Sequence, residues 1–130
     1  MPKPHPEGWL AQGARFAAVG LVNTAVGLAV ILGLQLLTPL GPYLANAGGY
    51  AAGLSVSFLL NRSWTFGAAG AGLDRQALRF ALAFAAAYAL NLGVLAGGIA
   101  AGLPPAAAQL PAICAYTGAF FVASRVWVFR

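Results

Sequence analysis

The sequence predicts an all-α membrane protein of four transmembrane helices, built as two repeated helical hairpins. Of its 130 residues, 61% are hydrophobic and 7% are charged, whereas about a quarter of the residues in a soluble domain are charged. Two long stretches, 16–61 and 80–124, carry no charged residue. Arg-Phe precedes each stretch and an Arg-x-Trp-x-Phe motif follows each one. The chain therefore contains an internal repeat, and its unit has the length of a supersecondary element.

Each uncharged stretch is long enough for two membrane crossings, since a helix needs about 20 residues to cross a hydrocarbon core of about 30 Å. Turn-forming residues interrupt the stretches at equivalent places, Thr38–Pro42 and Gly102–Pro105. Membrane β-strands alternate apolar and polar residues, and these segments are apolar throughout, which favours helices. The predicted spans are 16–37, 42–61, 80–101 and 105–124.

The repeat has a defined register, because Arg125 and Trp127 lie 63 residues after Arg62 and Trp64. Each repeat holds two crossings, so both repeats start on the same side of the membrane and are parallel, related by an axis along the membrane normal. The predicted segments are a flexible or interfacial tail (1–14), a first repeat (15–66), a cytoplasmic connection (67–78) and a second repeat (79–129), with 15–130 forming a single four-helix domain.

Basic residues are confined to one predicted side of the membrane. They are Lys3, Arg15, Arg62, Arg75, Arg79, Arg125 and Arg130. Neither hairpin turn carries a charge, so the positive-inside rule places the N and C termini and the connection in the cytoplasm. Because these charges border the membrane, the net charge of +5 does not indicate a nucleic-acid partner.

The residue inventory argues against an enzyme. The two carboxylates, Glu7 and Asp74, lie outside the predicted spans, and no His or Lys lies within them. We therefore predict no catalytic residue, no metal site and no cofactor. The same lack of an acidic residue within the spans argues against a proton-coupled multidrug exchanger. Cys114 is the only cysteine and cannot form an intrachain disulfide.

Two sets of side chains are candidates for ligand binding. Guanidinium groups beside aromatic rings at the cytoplasmic interface offer forked donors to a lipid phosphate; this set is Arg15, Arg62, Arg79, Arg125, Trp64 and Trp127. Amides within the spans could bind hydroxyl groups; this set is Asn23, Asn46, Asn91 and Gln109. Plainer alternatives stay open, since Arg and Trp also anchor helices at the interface and amides also join helices by hydrogen bonds.

Small residues recur at every fourth position in two of the spans. They are Ala45, Gly49, Gly53 and Ser57 in the second span, and Ala81, Ala85, Ala89, Gly93 and Gly97 in the third. Such stripes let helix backbones approach closely in a membrane.

The segments RFAAVGLVNTAVGL, NRSWTF, RFALAFAAAYALNLGVL and SRVWVF resemble the GtrA-like family of small four-helix membrane proteins, over about residues 14–130. The family's motif positions fall on Asn23, Asn61, Arg62, Trp64, Phe66, Asn91, Arg125, Trp127 and Phe129, which adds Asn61 to the polar candidates. Two positions depart from the family pattern, Ser124 in place of Asn and Gly27 in place of a polar or acidic residue.

This resemblance implies a flippase, or a flippase accessory, in the cytoplasmic (inner) membrane, for an undecaprenyl-phosphate-linked monosaccharide used in cell-surface polysaccharide glycosylation. In that role the arginines would attract the phosphate and the amides would bind sugar hydroxyls. Four helices scarcely enclose such a path, so we expect a homodimer or a membrane glycosyltransferase partner. The alternatives are a non-transporting anchor or scaffold for a polyprenyl-phosphate glycosyltransferase and, less favoured, a small ion channel.

Overall fold

The computed structural model describes residues 8–70 and 72–130, and within them it is helical without strands. The helices are α1 (Trp9–Leu37), α2 (Pro42–Leu60), α3 (Leu73–Ala100) and α4 (Pro105–Ala123). A π-helical turn continues α2 over Asn61–Thr65, the first π turn, and another continues α4 over Ser124–Val128, the second π turn. Helix α2 packs along α1, and α4 packs along α3. The predicted all-α fold of two helical hairpins is confirmed.

Three helices have the length and composition of membrane spans, namely α1, α3 and α4 together with the second π turn. The chain is thus a multi-pass membrane protein. Helix α2 is not among the three, since its 19 residues include Asn46, two tyrosines and three glycines. That α2 also crosses the membrane, and that both termini are cytoplasmic, stay predictions.

Both hairpin turns lie where the prolines and glycines predict them. Helix α1 ends at Leu37, and the Thr38 hydroxyl donates a hydrogen bond to the Leu34 carbonyl. Helices α2 and α4 each begin with a proline, whose missing N–H costs nothing at the first helical position. Gly102, in the second turn, has a φ of 98°, which glycine adopts without strain because it has no Cβ atom.

The first helix of each hairpin is longer than the predicted span. Helix α1 begins at Trp9, directly after Gly8 and inside the segment assigned to the tail, and α3 begins at Leu73, directly after Gly72 and inside the connection. No proline interrupts either extension. Each first helix therefore begins about two turns before the arginine of its Arg-Phe motif.

Helices α1 and α2 contact each other through their backbones. Helix α2 buries every fourth residue, namely Ala45, Gly49, Gly53 and Ser57. A Cβ atom at Gly49 would lie 2.6 Å from the carbonyl oxygen of Gly27, and one at Gly53 would lie 2.9 Å from that of Asn23. The small-residue stripe predicted for the second span is confirmed as the surface that packs against α1.

The second hairpin keeps this period, with small residues near the hairpin turn and a large one, Phe120, near the π turn. Helix α4 buries Ala108, Ala112 and Phe120, at the positions that match Ala45, Gly49 and Ser57 of α2. The stripe predicted for the third span, Ala81, Ala85, Ala89, Gly93 and Gly97, is exposed, while α3 buries Gln76, Phe80, Ala83 and Ala87. The stripe is therefore not the surface that packs against α4, because large side chains such as Phe80 determine which face of α3 is covered there. That it packs against another helix stays a prediction.

The chain divides into two compact units, one for each hairpin, with the boundary after Ala69. Each unit holds one complete copy of the repeat, from the Arg-Phe motif to the π turn. That both hairpins form a single four-helix domain stays a prediction.

Candidate functional site

Each hairpin ends in a π turn, and each π turn carries the Arg-x-Trp motif. The Phe66 N–H donates to the Asn61 carbonyl at 2.9 Å, and the Phe129 N–H donates to the Ser124 carbonyl at 3.1 Å, so both hydrogen bonds span five residues. Turns of this kind widen the helix locally and are frequent at functional sites. Apolar periodicity does not distinguish a π turn from an α-helical turn, so these turns were not predicted from the sequence.

The arginine of each Arg-Phe motif contacts the tryptophan of the π turn in its own hairpin. Arg15 Nη1 donates to the Trp64 carbonyl at 3.2 Å, and its guanidinium carbon lies 5.3 Å from the centroid of the Trp64 ring. Arg79 Nη1 donates to the Trp127 carbonyl at 2.8 Å, with its guanidinium carbon also 5.3 Å from the ring centroid. We call each pair an Arg–Trp clasp; it combines a charged hydrogen bond with a cation–π contact.

The phenylalanines of the two motifs pack beside each clasp. Phe16 and Phe66 have ring centroids 6.4 Å apart in the first hairpin, and the Phe80 and Phe129 centroids are 6.0 Å apart in the second. All four side chains are buried. The Arg-Phe and Arg-x-Trp-x-Phe motifs, noted separately in the sequence, therefore form one packed end in each hairpin.

The second arginine of each hairpin lies on the π turn itself. Arg62 is half-buried, and its Nη2 donates to the Ala69 carbonyl at 2.7 Å, which ties the following segment back to the turn. Arg125 is half-buried at the equivalent position of the second π turn. Each hairpin thus has two arginines and a half-exposed tryptophan at one end.

Buried polar side chains begin both π turns. Asn61 is 1% exposed and Ser124 is 0% exposed. Asn61 Nδ2 donates to Ser57 Oγ at 3.2 Å, but Asn61 Oδ1, Thr65 Oγ1 and Ser124 Oγ have no hydrogen-bond partner among the described residues. The structure therefore places Asn61 inside the first hairpin, and its role toward a sugar stays a prediction.

The remaining amide candidates lie at different levels of the hairpins. Asn23 is half-buried where α1 meets Gly53, and its Oδ1 accepts a hydrogen bond from Thr24 at 3.4 Å. Asn91 is half-buried in the middle of α3. Asn46 and Gln109 are exposed near the hairpin turns. Within each hairpin these amides are spread along the helices, whereas the arginines lie at the end that carries the π turn.

Gln76 is a residue that the sequence analysis missed. It lies one turn before Arg79 in the extension of α3, and it is 0% exposed. Gln12 stands one turn before Arg15, so the offset that matches the two arginines also matches these glutamines. Extending the repeat toward the N-terminus would have identified the pair.

The residue range of the repeat coincides with the match to a known family. The family model of the GtrA/DPMS transmembrane domain matches residues 15–129, from Arg15 of the first hairpin to Phe129 of the second. No curated protein gives a significant match to the chain. Because that match covers most of the sequence, the chain belongs to the GtrA/DPMS transmembrane-domain family.

Proposed function

We propose that this chain moves a polyprenyl-phosphate-linked monosaccharide across the cytoplasmic membrane, alone or as an accessory to a flippase. Membership of the GtrA/DPMS family associates it with the handling of polyprenyl-phosphate sugars. The observation that carries the proposal is the Arg–Trp clasp, which recurs with the same geometry at the end of both hairpins. A clasp holds a cationic fork beside an aromatic ring at the level where a lipid headgroup lies.

Phosphate binding follows from the chemistry and the rigidity of these ends. A guanidinium matches phosphate oxygens with paired donors, and it is more weakly hydrated than an ammonium group. The Trp127 carbonyl takes one of the five N–H donors of Arg79 and fixes the direction of the rest. The arginines of the π turns, Arg62 and Arg125, supply further positive charge at the same ends.

Sugar movement then depends on uncharged polar groups in the spans. Asn23 and Asn91 lie near the middle of α1 and α3, while Asn46 and Gln109 lie near the hairpin turns, so amides are available at successive depths for sugar hydroxyls. No carboxylate lies in the predicted spans to carry a coupling proton. Transport therefore runs downhill, drawn by consumption of the sugar on the far side, in a homodimer or beside a glycosyltransferase.

A second candidate is an anchor that holds a glycosyltransferase at the membrane. It is favoured because three arginines donate hydrogen bonds to carbonyls of the chain itself. Arg15 and Arg79 do so in the clasps, and Arg62 binds the Ala69 carbonyl. In this role the partner docks on the connecting segment, residues 67–70 and 72–79. Changing that surface would then abolish function, whereas Asn23→Ala and Asn91→Ala would not.

Lipids that co-purify with the protein test the phosphate site. We expect wild-type protein to retain polyprenyl-phosphate species, and Arg62→Ala with Arg125→Ala to lower their amount about tenfold or more, because each charged hydrogen bond contributes about 1.5–3 kcal/mol. The measurement is quantitative mass spectrometry of the bound lipids. Arg75→Ala is the matched control, since Arg75 is exposed in α3 outside both π turns and should change little. Wild-type protein without such lipids, or equal retention by the double variant, contradicts the proposal.

A further inference from the structure

The two hairpins differ in a coordinated way at four matched positions. Small or polar residues of the first hairpin, namely Gly20, Thr24, Gly53 and Ser57, correspond to Phe84, Tyr88, Tyr116 and Phe120 of the second. The register is set by Arg15 and Arg79 for the first helix of each hairpin, and by the π turns for the second helix. One copy of the repeat is thus packed through backbone contacts and the other through aromatic rings.

These four aromatic side chains form a continuous packed group between α3 and α4. The Phe84 and Tyr88 rings are nearly parallel, at 17° with centroids 6.1 Å apart. Phe84 meets Tyr116 edge-on at 6.1 Å, and Tyr116 lies 5.7 Å from Phe120. Tyr88 is the outermost ring and is 48% exposed. The group forms an aromatic platform in which the Tyr88 ring packs on Phe84 and is exposed on its other side.

The depth of Tyr88 is unusual for a tyrosine. It lies nine residues after Arg79 in α3, which corresponds to about 14 Å along the helix, near the middle of a hydrocarbon core of about 30 Å. Tyrosines of membrane proteins normally lie at the interface, where the hydroxyl reaches water. At this depth the hydroxyl needs a polar partner, because an unpaired polar group in hydrocarbon is costly.

Asn91 adds a second polar group less than one turn further along α3. Within the described part of the chain, neither the Tyr88 hydroxyl nor the Asn91 amide makes a hydrogen bond. Their counterparts in the first hairpin are Thr24 and Gly27, so that hairpin has no ring and no amide at these positions. The exposed Tyr88 ring therefore lies beside hydrogen-bonding groups without a partner, deep in a membrane span. This arrangement fits a ligand that has one apolar face and hydroxyl groups at its edge.

We propose that Tyr88 and Asn91 form the sugar-binding position of the protein, and that only the second hairpin carries it. A pyranose or furanose ring presents C–H groups on one face, which are attracted to the negative face of an aromatic ring. Its hydroxyls can bond with the Tyr88 hydroxyl and the Asn91 amide. The inference rests on the proposed function, and it adds Tyr88 as a residue that distinguishes glycosylated lipid from bare lipid.

Binding to two kinds of lipid tests this position. The full chain is placed in nanodiscs and titrated with bare undecaprenyl phosphate and with a panel of undecaprenyl-phosphate hexoses and pentoses. We expect the wild type to prefer at least one glycosylated lipid. Tyr88→Ala should weaken binding of that lipid about three- to tenfold, as expected for loss of one ring contact, and leave binding of the bare lipid unchanged.

Two further variants separate the ring from the hydroxyl and one hairpin from the other. Tyr88→Phe keeps the aromatic ring and should retain most of the preference for the glycosylated lipid. It still tests the proposal if Tyr88→Ala fails to fold. Tyr50→Ala removes an exposed tyrosine from the first hairpin and should change neither affinity. A wild type that binds the lipids without any preference, or variants that weaken both lipids equally, as loss of a helix-packing contact would, overturns the sugar position while phosphate binding stands. A wild type that binds neither lipid overturns the proposed function as well.

Discussion

Gly49→Val is expected to disrupt the first hairpin. A Cβ atom at this position would lie 2.2 Å from the Ile31 Cγ1 and 2.6 Å from the Gly27 carbonyl oxygen. The carbonyl belongs to the backbone of α1, so it cannot yield unless the two helices separate. We expect a loss of about 3 kcal/mol or more in the free energy of unfolding, the upper end of what overpacking costs. Denaturation by SDS in mixed micelles, followed by circular dichroism, measures this loss.

Gly93→Val is the matched control for this substitution. Gly93 lies in the interior of α3, and a Cβ atom there would meet no atom within 4 Å. Both substitutions replace a helical glycine by the same β-branched residue, so their effects on helix propensity are similar. If the two variants unfold at the same SDS concentration, backbone contact between α1 and α2 does not hold the first hairpin together.

Phe80→Ala is expected to destabilise the second hairpin by about 3 kcal/mol. Phe80 is buried, and its ring centroid lies 4.9 Å from that of Phe120 and 6.0 Å from that of Phe129. Truncation leaves a cavity beside the Arg79–Trp127 clasp, and the surrounding rings lose their contacts. The same SDS titration reports stability, and the fluorescence of the tryptophans should change as the clasp loosens.

Leu82→Ala controls for the loss of apolar volume from the same helix. Leu82 lies two residues after Phe80 but is exposed, so its truncation leaves no cavity inside the hairpin. A stability loss in Leu82→Ala as large as that in Phe80→Ala would show that volume alone, and not packing at the motif, determines the effect.

The sequence predicted the architecture because membrane helices leave strong signals. Long uncharged stretches, prolines at the turns and a duplicated motif are sufficient for four helices in two hairpins. The starts of α1 and α3 were less visible, because Trp9 and Leu73 lie among polar residues where hydropathy does not mark a boundary. The repeat itself carried that information, through Gly8 with Gly72 and Gln12 with Gln76.

Side-chain contacts at the candidate site could be predicted only in part. Duplication marked Arg15, Trp64, Arg79 and Trp127 as important, but their pairing depends on the three-dimensional approach of helices far apart in sequence. Periodicity did not show which face of α3 packs against α4, since an Ala- and Gly-rich helix shows four-residue spacing on several faces. Tyr88 is not among the candidates from the sequence, and its exposure beside a packed aromatic group became visible from the structure.

Movement of a lipid-linked sugar in sealed vesicles is the direct test of the proposed transport. Wild-type protein is reconstituted without other proteins into vesicles that contain undecaprenyl-phosphate monosaccharides, and the fraction reachable by an external periodate reagent is followed with time. We expect transfer at least about tenfold faster than in protein-free vesicles, unchanged by collapse of ion gradients and abolished by Arg62→Ala with Arg125→Ala. Transfer by the wild type that is no faster than in protein-free vesicles would contradict transport by this protein itself.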